Sequence, residues 1–177
     1  TKDIIQIYNK AWVKHSGVNK MTQQKGEALI KQLKPILDEK IIWLGYYKSE
    51  PIAFYFNIPD VNQLIKHING KLNILGKLKF LWYKRFSENQ KMLGVIFGVV
   101  PEHQGKGVDG AIILASLNTI HNLSKKYPLT EIKGIGDFNK KMILVIKQVG
   151  GDINKIHTTY RYLFDREKPF ERMKPIL

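Results

Sequence analysis

Gly105, Gly107 and Gly110 surround Lys106 just after Gln104, where a long apolar run gives way to a helical pattern. Glycines at a strand-to-helix junction let the backbone come close to a ligand. The first turn of a helix adds N–H groups without intrahelical partners and the positive end of a dipole. With the cation of Lys106, such a segment is suited to hold a phosphate or pyrophosphate. The same glycines spell G-x-G-x-x-G, the dinucleotide fingerprint, with Glu131 near the place of its ribose-binding acid. That reading is the weaker one. In the dinucleotide fold the first glycine follows the strand directly, whereas four residues intervene here and a single βαβ unit is present. Asp109 brings a carboxylate to an anion site, where it either caps the helix or points away.

Acid–base chemistry has fewer signals. Tyr160, Tyr162, Tyr55, Asp60 and His103 are the candidates by default, and each has a plainer role in packing, capping or a solvated loop. No spacing of His, Asp and Glu suggests a metal site, and no serine-based triad is visible.

The elements that position these residues follow from periodicity. Residues 3–15 read as a helix with Asp3 as cap and Ile4, Ile7, Tyr8 and Trp12 at helical spacing, ended by Ser16-Gly17. Thr22 caps a second helix with a stripe of Ala28, Leu29, Leu33, Ile36 and Leu37. Strands at 41–47 and 51–58 form an antiparallel hairpin. Asp60 and Gln63 have the form of a capping box, opening a short helix to about His67, and Asn69-Gly70 is a turn. Residues 77–86 read as a basic aromatic helix that packs in the core with its lysines outside; the alternative is a surface for anionic lipid or an acidic acyl-carrier protein. Residues 92–100 are a strand covered on both faces. A helix at 107–126 turns Val108, Ala111, Ile112, Ala115 and Leu123 inward, and a strand follows at 130–136. A helix from Phe138 to Val149 stops at Gly150-Gly151, and residues 155–164 read as a last strand. The order predicts an α/β or α+β fold with helices on the faces of a mixed sheet.

The chain of 177 residues is of a size for one domain and is 44% hydrophobic and 25% charged. Its net charge of +14 attracts anions: nucleic acid, anionic lipid, an acidic carrier protein or a phosphorylated cofactor. A lysine-rich proteome accounts for the charge equally well, since the cations are spread out rather than blocked together. There is no cysteine, hence no disulfide and no thiolate chemistry. No apolar stretch approaches a membrane span, and Thr1-Lys2-Asp3-Ile4 lacks the plan of a signal peptide. These features read as a soluble, cytoplasmic protein. A first residue of Thr1 fits a processed chain or a piece of a longer one.

Val99-Val100-Pro101-Glu102-His103-Gln104-Gly105-Lys106-Gly107-Val108 is similar to the Q/R-x-x-G-x-G/A signature of the GNAT acyltransferases. After the next strand these proteins carry an Asn that opens a helix ending in Gly, and Asn139 and Gly150 have that spacing of eleven. The run from Ile52 through Pro59-Asp60-Val61 to Asn69-Gly70-Lys71-Leu72, with Tyr8-Asn9 and Trp12 before it and Thr159-Tyr160-Arg161 after it, resembles a bacterial branch of that family. In the branch, Asp109 is ordinary, and the domain commonly follows another N-terminal region.

The resemblance implies a GNAT fold over 1–177, with a mixed, mostly antiparallel sheet, as the C-terminal part of a longer protein. It implies transfer from acetyl-CoA or another acyl-CoA to an amine acceptor by direct attack, without a metal. Phe97, Gly98 and Val99 should meet pantetheine. Gln104, Gly105, Lys106, Gly107, Val108, Asp109 and Gly110 should hold the pyrophosphate, and Asn139 should hydrogen-bond nearby. Two familiar groups are missing. The helix position usually held by an acidic Tyr is Ile146, and residues 92–100 lack the usual Glu base. Tyr160, on a strand bordering the acceptor cleft, and Asp60 are the catalytic candidates; water relay is an alternative. A CoA-binding domain without activity, and a basic module for nucleic acid or a membrane surface, are the other readings, nucleic acid being the least expected partner.

Overall fold

The structure is a computed structural model that describes residues 1–12, 19–70, 73–86, 91–123 and 126–169. The chain forms two compact units, Thr1–Lys133 and Gly134–Leu177. The first unit holds four strands: β1 (Ile42–Tyr47), β2 (Glu50–Pro59), β3 (Lys91–Val99) and β4 (Leu129–Ile132). Their spatial order is β1-β2-β3-β4. The first three pair antiparallel, and β4 joins β3 parallel. This is the expected α+β class with a mixed, mostly antiparallel sheet.

The β1–β2 turn puts Lys48 and Ser49 at φ 48° and 66°. Two consecutive positive values match the twist of a tight hairpin. Strand β2 is the centre of the core, with Ala53, Phe54, Tyr55 and Phe56 all buried. Successive residues point to opposite faces. On one face Phe54 and Trp12 of α1 (Lys2–Trp12) both approach Gly98 of β3. On the other, Ala53 and Gly45 lie under Ile112 of α5 (Val108–Leu123). Burying each of these large side chains stabilises the fold by about 2–3 kcal/mol. Ile41, Met92, Ile120 and Tyr127 extend the core toward the start of β3.

Several local readings are corrected. The stop expected at Ser16-Gly17 lies outside the described residues. Thr22 does cap α2 (Gln23–Leu33), accepting from the Lys25 N–H. The buried residue of α2 is Gly26, pressed against Ile5, while Ala28 and Leu29 are exposed. In α5 the buried residues are Ile112, Ile113, Ser116 and Ile120, and Ala111 and Ala115 face outward. The apolar composition of α5 leaves its orientation to the sheet rather than to a sharp stripe.

Asp60 leads into the short helix α3 (Asn62–Ile65), which runs on into a 3-10 turn, Lys66–Ile68. Next comes α4 (Ile74–Phe86), with Asn73 accepting from the Gly76 N–H. The core position expected for this helix is not adopted. Gly76 is its one buried residue, and Leu78, Leu81, Trp82 and Phe86 are all more than half exposed.

The second unit contains α6 (Lys140–Gln148), capped by the Asn139 side chain on the Met142 N–H. Gly150 closes it at φ 86°. The strand expected at 155–164 is absent: residues 151–163 have no helix or strand. Among the described residues this unit offers no second strand to pair with, and an extended segment without a ladder leaves its backbone groups to water.

Candidate functional site

The site is built on the end of β3. Strand β4 pairs with Lys91 to Gly94 only, and the Lys133 N–H closes that edge on the Gly94 carbonyl at 3.1 Å. Past Gly94, β3 still pairs with β2, while among the described residues no strand pairs with its other edge. The register with β2 slips between Phe56 and Asn57, so that Val95 is an extra residue with no partner. This bulge explains why Val95 is 45% exposed in a strand expected to be covered throughout.

The bulge also decides which amides face the gap. Before it, Gly94 directs its carbonyl at β4. After it, the Val100 N–H donates to the Ile52 carbonyl at 2.9 Å, so the alternating antiparallel pattern turns Phe97 and Val99 toward the open edge. Their carbonyls are held there by side chains. Trp12 Nε1 donates to the Phe97 oxygen at 3.1 Å, and Gln104 Nε2 to the Val99 oxygen at 2.8 Å. The N–H groups of Phe97 and Val99 point to the same edge, where no strand among the described residues pairs with them. Gly98 turns its own amide to β2, and a Cβ there would lie 2.8 Å from Phe54 and 3.3 Å from Trp12. Its smallness serves that packing.

The chain then turns through Pro101–His103, a single 3-10 turn, with His103 against the ring of Tyr47 at 5.3 Å. Gly105 and Gly107 have φ 70° and 78°, and Lys106 between them does not share that region. Such alternation turns successive N–H groups toward one concave side. A Cβ on Gly105, Gly107 or Gly110 would meet nothing within 4 Å, so the space over the loop is open. Helix α5 starts at Val108, its first bond running from the Ala111 N–H to the Gly107 carbonyl. Asp109 lies within the first turn of α5 and accepts from the N–H of its neighbour Gly110 at 3.0 Å, a contact one residue shorter than an N-cap bond. Among the described residues the N–H groups of Gly105, Lys106, Gly107, Val108 and Asp109 have no acceptor. A row of such donors at the positive end of a helix is suited to an anion.

Tyr55 lies where the gap begins. Its ring meets Phe97 edge-on at 5.9 Å, and its hydroxyl lies 2.8 Å from where a Cβ on Gly94 would be, beside the bulge. The residue is 1% exposed, and its hydroxyl has no hydrogen-bond partner. Burial pushes its pKa far above the ordinary phenol value, so it stays protonated.

Asp60 sits at the other end of β3. Its carboxylate accepts from the Asn62 backbone and side chain and pairs with Lys91 at 3.1 Å. Lys91 also pairs with Glu131 of β4 at 2.9 Å. Burial works to raise the Asp60 pKa, but the hydrogen bond and charge of Lys91 outweigh it and hold the carboxyl below its usual range. Lys91 is thus the clamp that closes β3 on β4 before the strands part. Glu131, committed to this clamp, is not placed as a ribose-binding acid, which sets the dinucleotide reading aside.

The clamp makes a measurable prediction. Lys91→Met removes the cation shared by two carboxylates and is expected to destabilise the fold by about 2–3 kcal/mol, less than the ~3–5 of a fully buried pair. The Asp60 pKa is depressed on folding, so its contribution is present at neutral pH and is lost as the pH falls through and below the ordinary 3.8. Urea unfolding should show the full difference at neutral pH and a smaller one in acid.

In the second unit, Asn139 spends its side-chain oxygen on the cap of α6. Tyr160 is 89% exposed, in the segment without regular structure. The Tyr162 hydroxyl accepts from Arg166 at 2.9 Å. No group of His, Cys, Asp and Glu among the described residues could hold a metal ion.

A cleft of about 450 Å³ lies elsewhere, lined by Asp38, Pro59, Leu64, Phe80, Lys84 and Tyr127 among others. Pro59 pairs with Met92 at the start of β3, about 23 Å along the strand from Val99. Its polar groups are largely engaged: Asp38 binds Lys126 and the Tyr127 hydroxyl, and Lys84 donates to the Pro35 carbonyl. The open donors of the loop make the better ligand site. Trp12 and Lys91 are the parts of the site that the residue patterns did not reveal, whereas Gly94 and Gly98 within the apolar run suit a bulge or a close backbone approach in β3.

No protein-family profile matches the chain. It is 26% identical over 161 residues to a bacterial ceramide synthase of Caulobacter vibrioides, covering 89% of this chain and 41% of that protein. It is 24% identical over 157 residues to Protein YghO of Escherichia coli K12, covering 88% and 40%. The chain thus spans about two-fifths of the length of these curated relatives. Among solved structures, the aminoglycoside acetyltransferase AAC(6′)-Iy, bound to a CoA bisubstrate analogue, superposes with a TM-score of 0.55 at 13% identity, covering 92% and 90%. The aminoglycoside 6′-N-acetyltransferase AAC(6′)-IG of Acinetobacter haemolyticus gives 0.52 at 15%, covering 93% and 92%. With its bulged β3, parted strands and glycine loop, the chain has the fold of the GNAT acetyltransferases.

Proposed function

We propose that the chain binds an acyl-CoA along the open edge of β3 and transfers the acyl group to an amine. The observation that carries this reading is the pairing of two vacant features. The N–H groups of Gly105 to Asp109 suit a pyrophosphate, and the edge at Phe97 and Val99 suits the amides of pantetheine, which continue from it. Gln104, Lys106, Val108 and Gly110 line the same loop. The CoA analogue in AAC(6′)-Iy supports the ligand class.

The reaction needs one bond formed and one broken. The amine nitrogen attacks the thioester carbon, the C–S bond of the tetrahedral intermediate breaks, the thiolate is protonated, and the amine proton passes to water. Charge gathers first on the carbonyl oxygen. Tyr55 is the donor we assign to it: a hydroxyl that stays protonated can stabilise an oxyanion without giving up its proton. Asp60, held in the Lys91 clamp, has a positioning role.

The acceptor class follows from the Caulobacter relative. A ceramide is an N-acylated long-chain amino alcohol, so a ceramide synthase is an N-acyltransferase acting on a lipid amine. We propose a long-chain amine here. The test is to mix the chain with a long-chain acyl-CoA and either a long-chain amino alcohol or a short one, following thiol release and product mass. N-acylated product from the long-chain amine alone is expected. Product from the short amine alone removes the lipid acceptor. Tight CoA binding with no product from either supports the second reading, a CoA-binding domain without turnover, which Ile146 in the usual place of an acidic Tyr favours.

A further inference from the structure

We propose that α4 is an interfacial anchor whose outward face lies on the surface of an anionic phospholipid bilayer. The helix is amphipathic the wrong way round for a core element. Gly76, Phe80 and Tyr83, at spacings of four and three, form its inward edge, and the Tyr83 ring stacks on His67 at 4.4 Å. The opposite side carries Ile74, Leu75, Leu78, Leu81, Trp82 and Phe86, which are 57% to 78% exposed. At 100° per residue these six fall in one continuous stripe. A surface stripe of this kind marks an interaction site rather than scattered exposure.

Charge identifies the occupant. Lys77, Lys79, Lys84 and Arg85 are the ionisable cations of α4, and the helix contains no Asp or Glu. Lys77 and Lys84 border the stripe on one side and Lys79 on the other, while Arg85 lies within it, its guanidinium 5.3 Å from the centre of the Phe86 ring. Apolar side chains between cations, with a Trp among them, fit the boundary between acyl chains and anionic headgroups. A second copy of the chain fits less well. A two-fold contact through this face would bring both sets of cations together in a protein of net charge +14. At 13 residues the helix is about 20 Å long, too short to cross a bilayer, so it lies in the plane of the surface. The cap by Asn73 and the buried Gly76 fix its presentation before any membrane is met.

The test is sedimentation of the chain with vesicles of phosphatidylcholine, with and without phosphatidylglycerol, in the absence of CoA. Binding is expected to the anionic vesicles and to weaken with salt. Leu78→Ser with Leu81→Ser should reduce partitioning at least about tenfold, because both side chains enter the apolar layer. Lys77→Glu and Lys79→Glu should each reduce it by about fivefold or more on anionic vesicles, with little effect on neutral ones. All four positions are exposed, and unchanged thermal melts show that the fold persists. Failure to bind either vesicle overturns the proposal. So does binding that ignores lipid charge or survives the double serine variant. A concentration-dependent dimer that the serine variant dissolves, without vesicle binding, assigns the face to a second copy instead. Gly107→Glu, which addresses the acyl-CoA site, should leave vesicle binding unchanged, so the two proposals fail separately.

Discussion

Gly107→Glu is expected to raise the dissociation constant for acetyl-CoA at least about a hundredfold in a calorimetric titration. Two effects act together. Gly107 holds φ 78°, where an L side chain costs about 1–2 kcal/mol. The carboxylate would also stand in the open space over the loop, beside the pyrophosphate. Like charges roughly 4–5 Å apart at an effective dielectric near 20 repel by about 3–4 kcal/mol. Gly107→Ala separates the two. Its methyl group meets nothing within 4 Å, so only backbone strain remains, and affinity should fall by at most about five- to thirtyfold. The Ala111 bond to the Gly107 carbonyl does not involve the side chain, so α5 should form in both variants. If the glutamate variant binds as the parent does, the cofactor does not lie at this loop. If alanine and glutamate weaken binding equally, strain and not charge governs the site.

The loop could be recognised because everything it needs is local. Glycines at a junction, a following helix and a preceding apolar strand lie within twenty residues and leave a pattern. The hairpin, β3 and the Asn139 cap were legible for the same reason. What escaped depends on residues far apart in the chain. Trp12 reaches the Phe97 carbonyl across 85 positions, and Lys91 meets Glu131 across 40. Neither contact leaves a trace in spacing. The bulge at Val95 is a misfit of two strands: Gly94 and Gly98 in the apolar run suit a bulge or a close approach, but one strand alone does not fix which residue is left without a partner. Helix α4 shows a further limit: periodicity says which residues share a face, but not whether that face meets the core or the outside. For the run 155–164, alternation suggested a strand, yet alternation is only half of the requirement, the other half being a ladder partner.

These distant contacts also explain how one strand can be both rigid and open. The clamp of Lys91 with Asp60 and Glu131 holds β3 to β4 at one end. The bulge then shifts the amide pattern by one residue, and β4 parts from β3. Trp12 and Gln104 each take one carbonyl of the freed edge, which fixes the backbone and still leaves the intervening donors exposed. An edge prepared in this way does not need to be ordered by its ligand, and binding keeps the free energy that ordering would cost.

Tyr55→Phe is expected to affect rate and stability in opposite directions. The Tyr55 hydroxyl is buried with no partner, and an unsatisfied buried hydroxyl costs about 1–3 kcal/mol. Phenylalanine keeps the ring and its contact with Phe97, so the variant should be as stable as the parent or about 1 kcal/mol more so. If the hydroxyl donates to the oxyanion, its removal should lower kcat by about a hundred- to a thousandfold. The KM for acyl-CoA should change little, because the pyrophosphate and pantetheine donors are untouched. The raised pKa makes a further distinction. A proton donor with a pKa far above that of a thiol would be a poor acid, so its loss should leave the pH profile of kcat unchanged in shape. A packing residue would give the stability change without the rate change. A fall in rate with an altered pH profile would mean that Tyr55 transfers a proton, and that burial in the free protein is relieved once substrate is bound. Only the combination of lower rate, equal or higher stability and an unshifted profile assigns the hydroxyl to the developing charge on the carbonyl oxygen.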